Sequence, residues 1–166
     1  SFPSEDDGID DGITPWPSAP NSEARWVVDV AAWQPSEAEL RFLLTVLPAS
    51  DRTAALAFRG MDRKRAVVSR LLQRHCIRAS LQLPEERVVV ARTKGGKPFE
   101  ASGLPRPPSR ANFNFNVSHE GQLVVLASDP ALLVGIDVSA PFELRGGPSM
   151  GDFAEVRASF ANTLSE

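Results

Sequence analysis

Apolar residues repeat with two different periods along this chain, and the switch between them divides it. From Arg25 to Trp33, RWVVDVAAW reads as a first strand. Ser36 with Glu39 three residues on makes a capping-box pattern ahead of Leu40, Leu43, Leu44 and Leu47, which predicts a helix ended by Pro48. Ser50 is placed to cap a short second helix through Phe58. The longest helix is predicted over 62–80, starting at Asp62. Ala66, Val67, Arg70, Leu71, Arg74 and Ile77 recur at helical spacing there, with Val67, Leu71 and Ile77 on the buried side. After this helix the period drops to two. A strand is expected over 87–92, then a turn over 94–98 and a Pro-rich loop over 101–111. Phe113 and Phe115 alternate with Asn112, Asn114 and Asn116 as in a strand, and the alternation breaks at Ser118-His119-Glu120-Gly121. Residues 122–128 read as a further strand, Asp129-Pro130 as a turn, and 132–138 as a third strand. Together these elements predict an α+β fold in which an antiparallel sheet packs on the long helix.

The strand ends carry the chemistry. In a hairpin folded about Pro130, Asp137 faces Leu123, a few residues from Glu120. At about 3.4 Å per residue, the two carboxylates then lie within about 10 Å of each other. Asp137 interrupts the apolar run LLVGIDV, where a carboxylate requires donors or a metal. Two carboxylates, a histidine and a serine beside a turn suit a hard divalent cation and a phosphate-bearing ligand.

The sequence Arg92-Thr93-Lys94-Gly95-Gly96-Lys97-Pro98 gathers three cations and two glycines within seven residues. Glycines let backbone amides approach an anion, and the cations add charge and donors, so the segment reads as a phosphate cradle. The competing explanation is a solvated hairpin turn. Arg52, Arg59, Arg63, Lys64 and Arg65 surround the start of the long helix; some are placed to reach a terminal phosphate, and an exposed charged face is the default explanation for most of them. Arg70 falls close to the buried face and calls for an anionic partner, from the protein or a ligand. Ser118 and His119 are adjacent on an extended strand end and point to opposite sides. Direct activation of one by the other is thereby disfavoured, and a phosphate contact is the better role.

Composition bounds these readings. A chain of 166 residues with 42% hydrophobic and 23% charged residues accommodates one domain with a real core, or two small ones. The net charge of −3 gives no general attraction to nucleic acid or to an anionic membrane. Residues 1–24 are rich in proline and acids, without Lys or Arg, and read as a disordered arm. The single cysteine, Cys76, excludes an internal disulfide and fits a reducing compartment. Its helical setting predicts a buried, inert thiol. No apolar run approaches the roughly 20 residues of a membrane span. A cytoplasmic location is expected, with organellar targeting upstream of Ser1 left open. G-x-G-x-x-G, G-x-x-x-x-G-K-[ST] and C-x-x-C are all missing from the chain, so Rossmann, P-loop and zinc-ribbon readings have no support.

RTKGGKP (92–98), NFNFNVSHEG (112–121) and VGIDV (134–138), in that order, resemble the 4′-phosphopantetheinyl transferases. The likeness is to the large pseudodimeric class, of the eukaryotic type named for aminoadipate-semialdehyde dehydrogenase. It covers roughly residues 25–166. The resemblance implies an enzyme of the holo-[acyl-carrier-protein] synthase kind. Such an enzyme moves phosphopantetheine from coenzyme A to a serine of an apo acyl, peptidyl or aminoacyl carrier protein, with Mg²⁺. Fatty-acid, lysine and polyketide pathways are the settings it implies. It assigns coenzyme A binding to Arg52, to Arg92, Thr93, Lys94, Gly95, Gly96 and Lys97, and to Asn116, Val117, Ser118 and His119. Asp137 resembles a metal-binding aspartate, and Glu120 takes the place of a further metal ligand. Neither nucleic acid nor membrane is an expected partner.

The same resemblance divides the chain into an arm (1–24), a first transferase half (25–130) and the start of a second half (131–166). A loop after Ala140 and a helix over 152–164 are expected in that last part. The family's second half carries a (W/F)-x-x-K-E-(A/S)-x-x-K motif, which these residues lack, so no catalytic residue is assigned. The expectation is a truncated chain with incomplete catalytic apparatus. The alternative is a non-catalytic fragment that binds coenzyme A or a protein partner.

Overall fold

In the computed structural model, which describes residues 23–139, strand β1 (Ala24–Asp29) starts the fold and three helices follow it. These are α1 (Glu37–Val46), α2 (Ala49–Leu56) and α3 (Gly60–Leu81). Two short strands, β2 (Val90–Arg92) and β3 (Pro98–Glu100), make a small hairpin, and two longer ones, β4 (Asn114–Glu120) and β5 (Leu123–Asp129), complete the list of elements. The arm, the loop after Ala140 and the helix expected over 152–164 lie outside the described residues.

Alternation sets the main sheet. β5 runs down its centre, antiparallel to β1 on one side and β4 on the other, in the order β1-β5-β4. Phe113 and Phe115 fall on one side and are almost fully buried, with ring centroids 6.3 Å apart. They join Val30, Val124 and Leu126 against Val68, Leu72, Cys76 and Ile77 of α3. The phenylalanines therefore build core. At the other flank of α3, Ala66 and Val67 pack with Leu44 and Leu47 near α1 and with Ala55 of α2. The expected α+β architecture, an antiparallel sheet on a long helix, is what the chain forms.

Local chemistry explains where elements start and stop. Ser36 and Glu39 make both bonds of the capping box at the start of α1. β1 stops at Asp29, four residues before Trp33, because the Asp29 carboxylate accepts from the amides of Ala31 and Ala32 and turns the chain. Ser50 does not cap α2. That helix begins at Ala49 behind Pro48, with no side-chain cap. α3 begins two residues before Asp62, at Gly60, whose φ of +52° is readily adopted by glycine. Within α3, Val67 and Ile77 are buried as expected, whereas Leu71 is only partly covered. The strand expected from residue 87 starts at Val90, because Glu85–Arg87 forms a short 3-10 turn.

One expected element is absent. Residues 132–138 form no strand and do not fold back on β5. The chain turns at Asp129, whose carboxylate accepts from the amides of Ala131 and Leu132. It then runs beside β4 in the same direction. Asn114 contacts Leu132 and Val134, and Ser118 contacts Asp137 and Val138, so the sequence offset stays at 18–20. The link is made by side chains rather than by a backbone ladder, which a period-two pattern cannot reveal.

Candidate functional site

α3, the β2–β3 turn and the far end of β4 enclose an open cavity of about 470 Å³. Three of its walls hold polar or cationic groups: Arg65, Ser69, Arg70 and Gln73 from α3; Arg92, Gly95, Gly96 and Lys97 from the hairpin; Asn116 and His119 from β4. Val117 also lines it, and Phe58 stands at its edge, 45% exposed.

Hairpin geometry aims the cations. The Thr93 amide donates to the Lys97 carbonyl at 2.9 Å, and Gly96 N donates to Thr93 O at 2.9 Å. The Lys97 amide donates to Thr93 Oγ1 at 3.1 Å, and Gly96 takes φ +84°. Arg92 Nη1 closes the turn on Gly96 O at 3.1 Å. Thr93 thus organises the turn without lining the cavity. Since the Gly96 and Lys97 amides are used within the turn, attraction for an anion falls on side-chain cations more than on a backbone cradle. Among the described residues Lys97 Nζ reaches only Val134 O, at a long 3.4 Å. Among the described residues, neither Arg92 nor Lys97 has a carboxylate partner.

The cations of α3 are braced by acids. Arg65 bonds Asp62 and the carbonyl of Gly121, which ties the helix to the β4–β5 turn. Arg70 Nε meets Asp51 of α2 at 3.2 Å, and its Nη1 donates to Ala66 O at 2.9 Å. This is the anionic partner that the position of Arg70 called for. Beneath them, Gln73 Nε2 donates to Ser69 Oγ at 3.0 Å, and both side chains are nearly fully buried. Away from the cavity lining, Arg106 bonds Glu100 Oε2 at 2.8 Å and Phe113 O at 3.0 Å, anchoring β3 to the approach of β4. Burial pushes the Glu100 carboxyl upward, but bonds from Ser102 and Arg106 outweigh this and hold it below its usual range.

Seven of the sequence-assigned residues meet here: Arg92, Gly95, Gly96, Lys97, Asn116, Val117 and His119. Four do not line the cavity. Arg52 lies on α2, donating to Leu47 O at 3.3 Å with its Nε buried and unpartnered. Thr93 and Lys94 sit in the turn. Ser118 is not among the lining residues, and its hydroxyl is engaged by Asp137 and Val138. Arg65, Ser69 and Gln73 line the cavity although sequence reasoning did not assign them. Ser69 and Gln73 are polar residues within the buried stripe of α3, a pattern that marks them as unusual without showing what they face.

Ser118 bonds Asp137 instead. Its hydroxyl donates to Asp137 Oδ1 at 2.6 Å and accepts from Val138 N at 3.3 Å. The Ser118 hydroxyl, and after it the Val138 amide, hold the Asp137 carboxyl below the usual range. Asp137 therefore sits against β4 rather than opposite Leu123, and it is exposed. Glu120 is two residues further along β4, on the face shared by Ser118. Among the described residues no cluster of three or more acids, histidines or cysteines is placed to hold a metal. Cys76 is buried, and burial pushes its thiol up to about 11, in keeping with an inert side chain. No helix among the described residues is long and apolar enough to cross a membrane.

Comparison with known proteins identifies the family. Residues 31–131 match the family model described as 4′-phosphopantetheinyl transferase, N-terminal. The L-aminoadipate-semialdehyde dehydrogenase-phosphopantetheinyl transferase of Xenopus laevis is 37% identical over 130 residues, 78% of this chain and 42% of that relative. The protein of the same name from Homo sapiens is 36% identical over 115 residues, 69% of this chain and 37% of its own length. A phosphopantetheinyl transferase of Thraustochytrium is 33% identical over 143 residues, 85% of this chain and 48% of the relative. The chain thus spans less than half the length of these relatives. The match over residues 31–131 shows that it belongs to the 4′-phosphopantetheinyl transferase family, in the part covered by the N-terminal model.

Proposed function

We propose that the cavity binds the phosphate-bearing end of coenzyme A, and that the chain serves the transfer of its 4′-phosphopantetheine group to a serine of an acyl, peptidyl or aminoacyl carrier protein. The supporting observation is the convergence of Arg65, Arg70, Arg92 and Lys97 on one open cavity whose lining, among the described residues, includes a single acid, Asp62. Coenzyme A carries a pyrophosphate and a 3′-phosphate, and such a cationic lining lowers the free energy of a polyanion wherever charge-assisted bonds form. Arg92 and Lys97 approach phosphate oxygens as donors, while Asn116 and His119 offer polar contacts from β4. Phe58 supplies an apolar edge.

Transfer requires the acceptor serine oxygen to form a bond to the phosphorus nearest pantetheine. The bond from that phosphorus to the bridging oxygen breaks, and adenosine 3′,5′-bisphosphate leaves. The serine proton passes to a base. In this proposal the present residues bind and orient the leaving nucleotide. No general base is assigned among them, since the K-E-x-x-x-K motif is missing from this sequence.

Asp137, bonded to Ser118, and Glu120, two residues further along β4, are hard oxygen donors of the kind that suits Mg²⁺, which keeps several waters and takes substrate phosphates as further ligands. Mg²⁺ would neutralise pyrophosphate charge there. The relatives' names support aminoadipate-semialdehyde dehydrogenase as one bearer of the acceptor domain, and a cytoplasmic setting accords with the free thiol of Cys76.

A transfer assay tests the reading. This chain, coenzyme A, Mg²⁺ and an apo carrier protein are combined, and the carrier's mass is followed. The same assay is run on a polypeptide joining this chain to a K-E-x-x-x-K-bearing second half from a relative. The proposal expects phosphopantetheine on the carrier from the joined polypeptide, lost on Arg92→Ala with Lys97→Ala. A joined polypeptide that keeps its rate in that double variant would contradict it.

A further inference from the structure

Residues 132–138 are held to the body of the fold by side chains of β4, and their placement bears on Asp137. Asn114 uses both ends of its amide. Its Nδ2 donates to Leu132 O at 2.8 Å and to Asn112 O at 3.1 Å, and its Oδ1 accepts from Val134 N at 2.9 Å. Four residues along, Ser118 Oγ accepts from Val138 N at 3.3 Å and donates to Asp137 Oδ1 at 2.6 Å. Between them, a Cβ on Gly135 would stand 3.9 Å from Asn116 Nδ2. Asn114, Asn116 and Ser118 share one side of β4, because alternation puts Phe115 on the other. An amide with one donor and one acceptor end matches the two faces of a peptide backbone, so it can replace one rung of a ladder. Leu132 and Leu133 are strongly exposed, so apolar burial contributes little to this placement.

We infer that Asn114 and Ser118 form a side-chain ladder that fixes segment 132–138, and that they are positioning residues for the Asp137 carboxylate. Ser118 acts on Asp137 directly, and Asn114 acts through the backbone at Val134. This assigns Asn114 a role that the resemblance does not, and it gives Ser118 a role other than contact with coenzyme A. Only the metal arm of the test below rests on the proposed function.

The test begins with the ligand-free chain. Amide hydrogen exchange is measured in wild type, Asn114→Ala, Ser118→Ala and Ser118→Thr, with Leu126 of the central strand as an internal reference. A net hydrogen bond corresponds to roughly a fivefold change in an opening equilibrium. The amide of Val134 is expected to exchange about fivefold faster in Asn114→Ala, and that of Val138 about fivefold faster in Ser118→Ala. Ser118→Thr keeps a hydroxyl and is expected to restore protection. Loss of global stability would speed Leu126 as well, whereas loss of the ladder acts at 134 and 138 alone.

The second arm is calorimetry of coenzyme A binding across a Mg²⁺ titration. Asn114→Ala is expected to raise the half-saturating Mg²⁺ about fivefold and leave metal-free affinity within about twofold of wild type. Unchanged exchange at 134 and 138 would overturn the ladder. Faster exchange with an unchanged Mg²⁺ dependence would overturn the positioning of Asp137. A wild-type chain that binds no coenzyme A would overturn the functional reading instead, and the exchange measurements would still decide the ladder.

Discussion

Replacing Lys97 with alanine separates phosphate binding from fold maintenance. Lys97 lines the cavity, and among the described residues its ammonium makes one hydrogen bond, the 3.4 Å approach to Val134 O. At that length the contact adds little to stability, so the unfolding midpoint should stay near that of wild type. Bound to a phosphate, the same ammonium makes a charge-assisted bond worth about 1.5–3 kcal/mol. That corresponds to about 10–150-fold in dissociation constant. The cavity is open, and solvent and salt screen the interaction, so the low end of about tenfold applies near physiological ionic strength. Calorimetry with coenzyme A and with adenosine 3′,5′-bisphosphate, without metal and at two salt concentrations, measures the effect. Loss of Lys97 should also flatten the salt dependence. Lys94→Ala, altered in the same turn but outside the cavity lining, should produce a smaller loss. Equal affinity and equal salt dependence in wild type and Lys97→Ala would refute the reasoning.

Three further outcomes follow from the packing. Phe115→Ala empties a fully buried site between the sheet and α3 and should destabilise the chain by about 3–5 kcal/mol, read from denaturant unfolding. Arg106→Ala severs β3 from the approach of β4 and leaves the Glu100 carboxylate unpaired; it should lower stability at pH 7 and weaken coenzyme A binding with it. The folded chain also loses the stabilisation of its depressed Glu100 carboxyl as pH falls through the folded value, so wild type and Arg106→Ala should converge in stability under acid. The Cys76 thiol, raised from 9.0 to about 11, stabilises the fold fully below pH 9 and loses that contribution as pH rises towards 11. Its unfolding midpoint should therefore fall over that window more steeply than that of Cys76→Ala.

Much of this was legible in the sequence, for reasons that differ by element. The Ser36–Glu39 box is a local signal and formed as read. The Phe113–Phe115 alternation reports one buried face, and burial of that face settled its role as core. The basic turn was visible as composition, but its opposing wall was not. Ser69 and Gln73 reach the cavity only because α3 crosses beneath the hairpin, a long-range fact that no local pattern carries. The third strand over 132–138 failed for a related cause. Its apolar pattern matches a strand, yet Asp129 turns the chain by accepting two amides, and Asn114 and Ser118 then capture it on β4. Asp137 consequently lies on Ser118 of β4 instead of opposite Leu123. The start of β1 and the end of α1 followed the sequence, whereas the beginnings of α2 and α3 depended on Pro48 and Gly60 rather than on polar caps.

The most direct measurement of the central claim is titration of this chain with coenzyme A by calorimetry, with and without Mg²⁺. Saturable one-to-one binding is predicted. It should weaken as salt rises, strengthen with Mg²⁺, and be competed by adenosine 3′,5′-bisphosphate. Absence of saturable binding up to about 1 mM coenzyme A at low salt, from a chain shown to be folded, would contradict the assignment of the basic cavity.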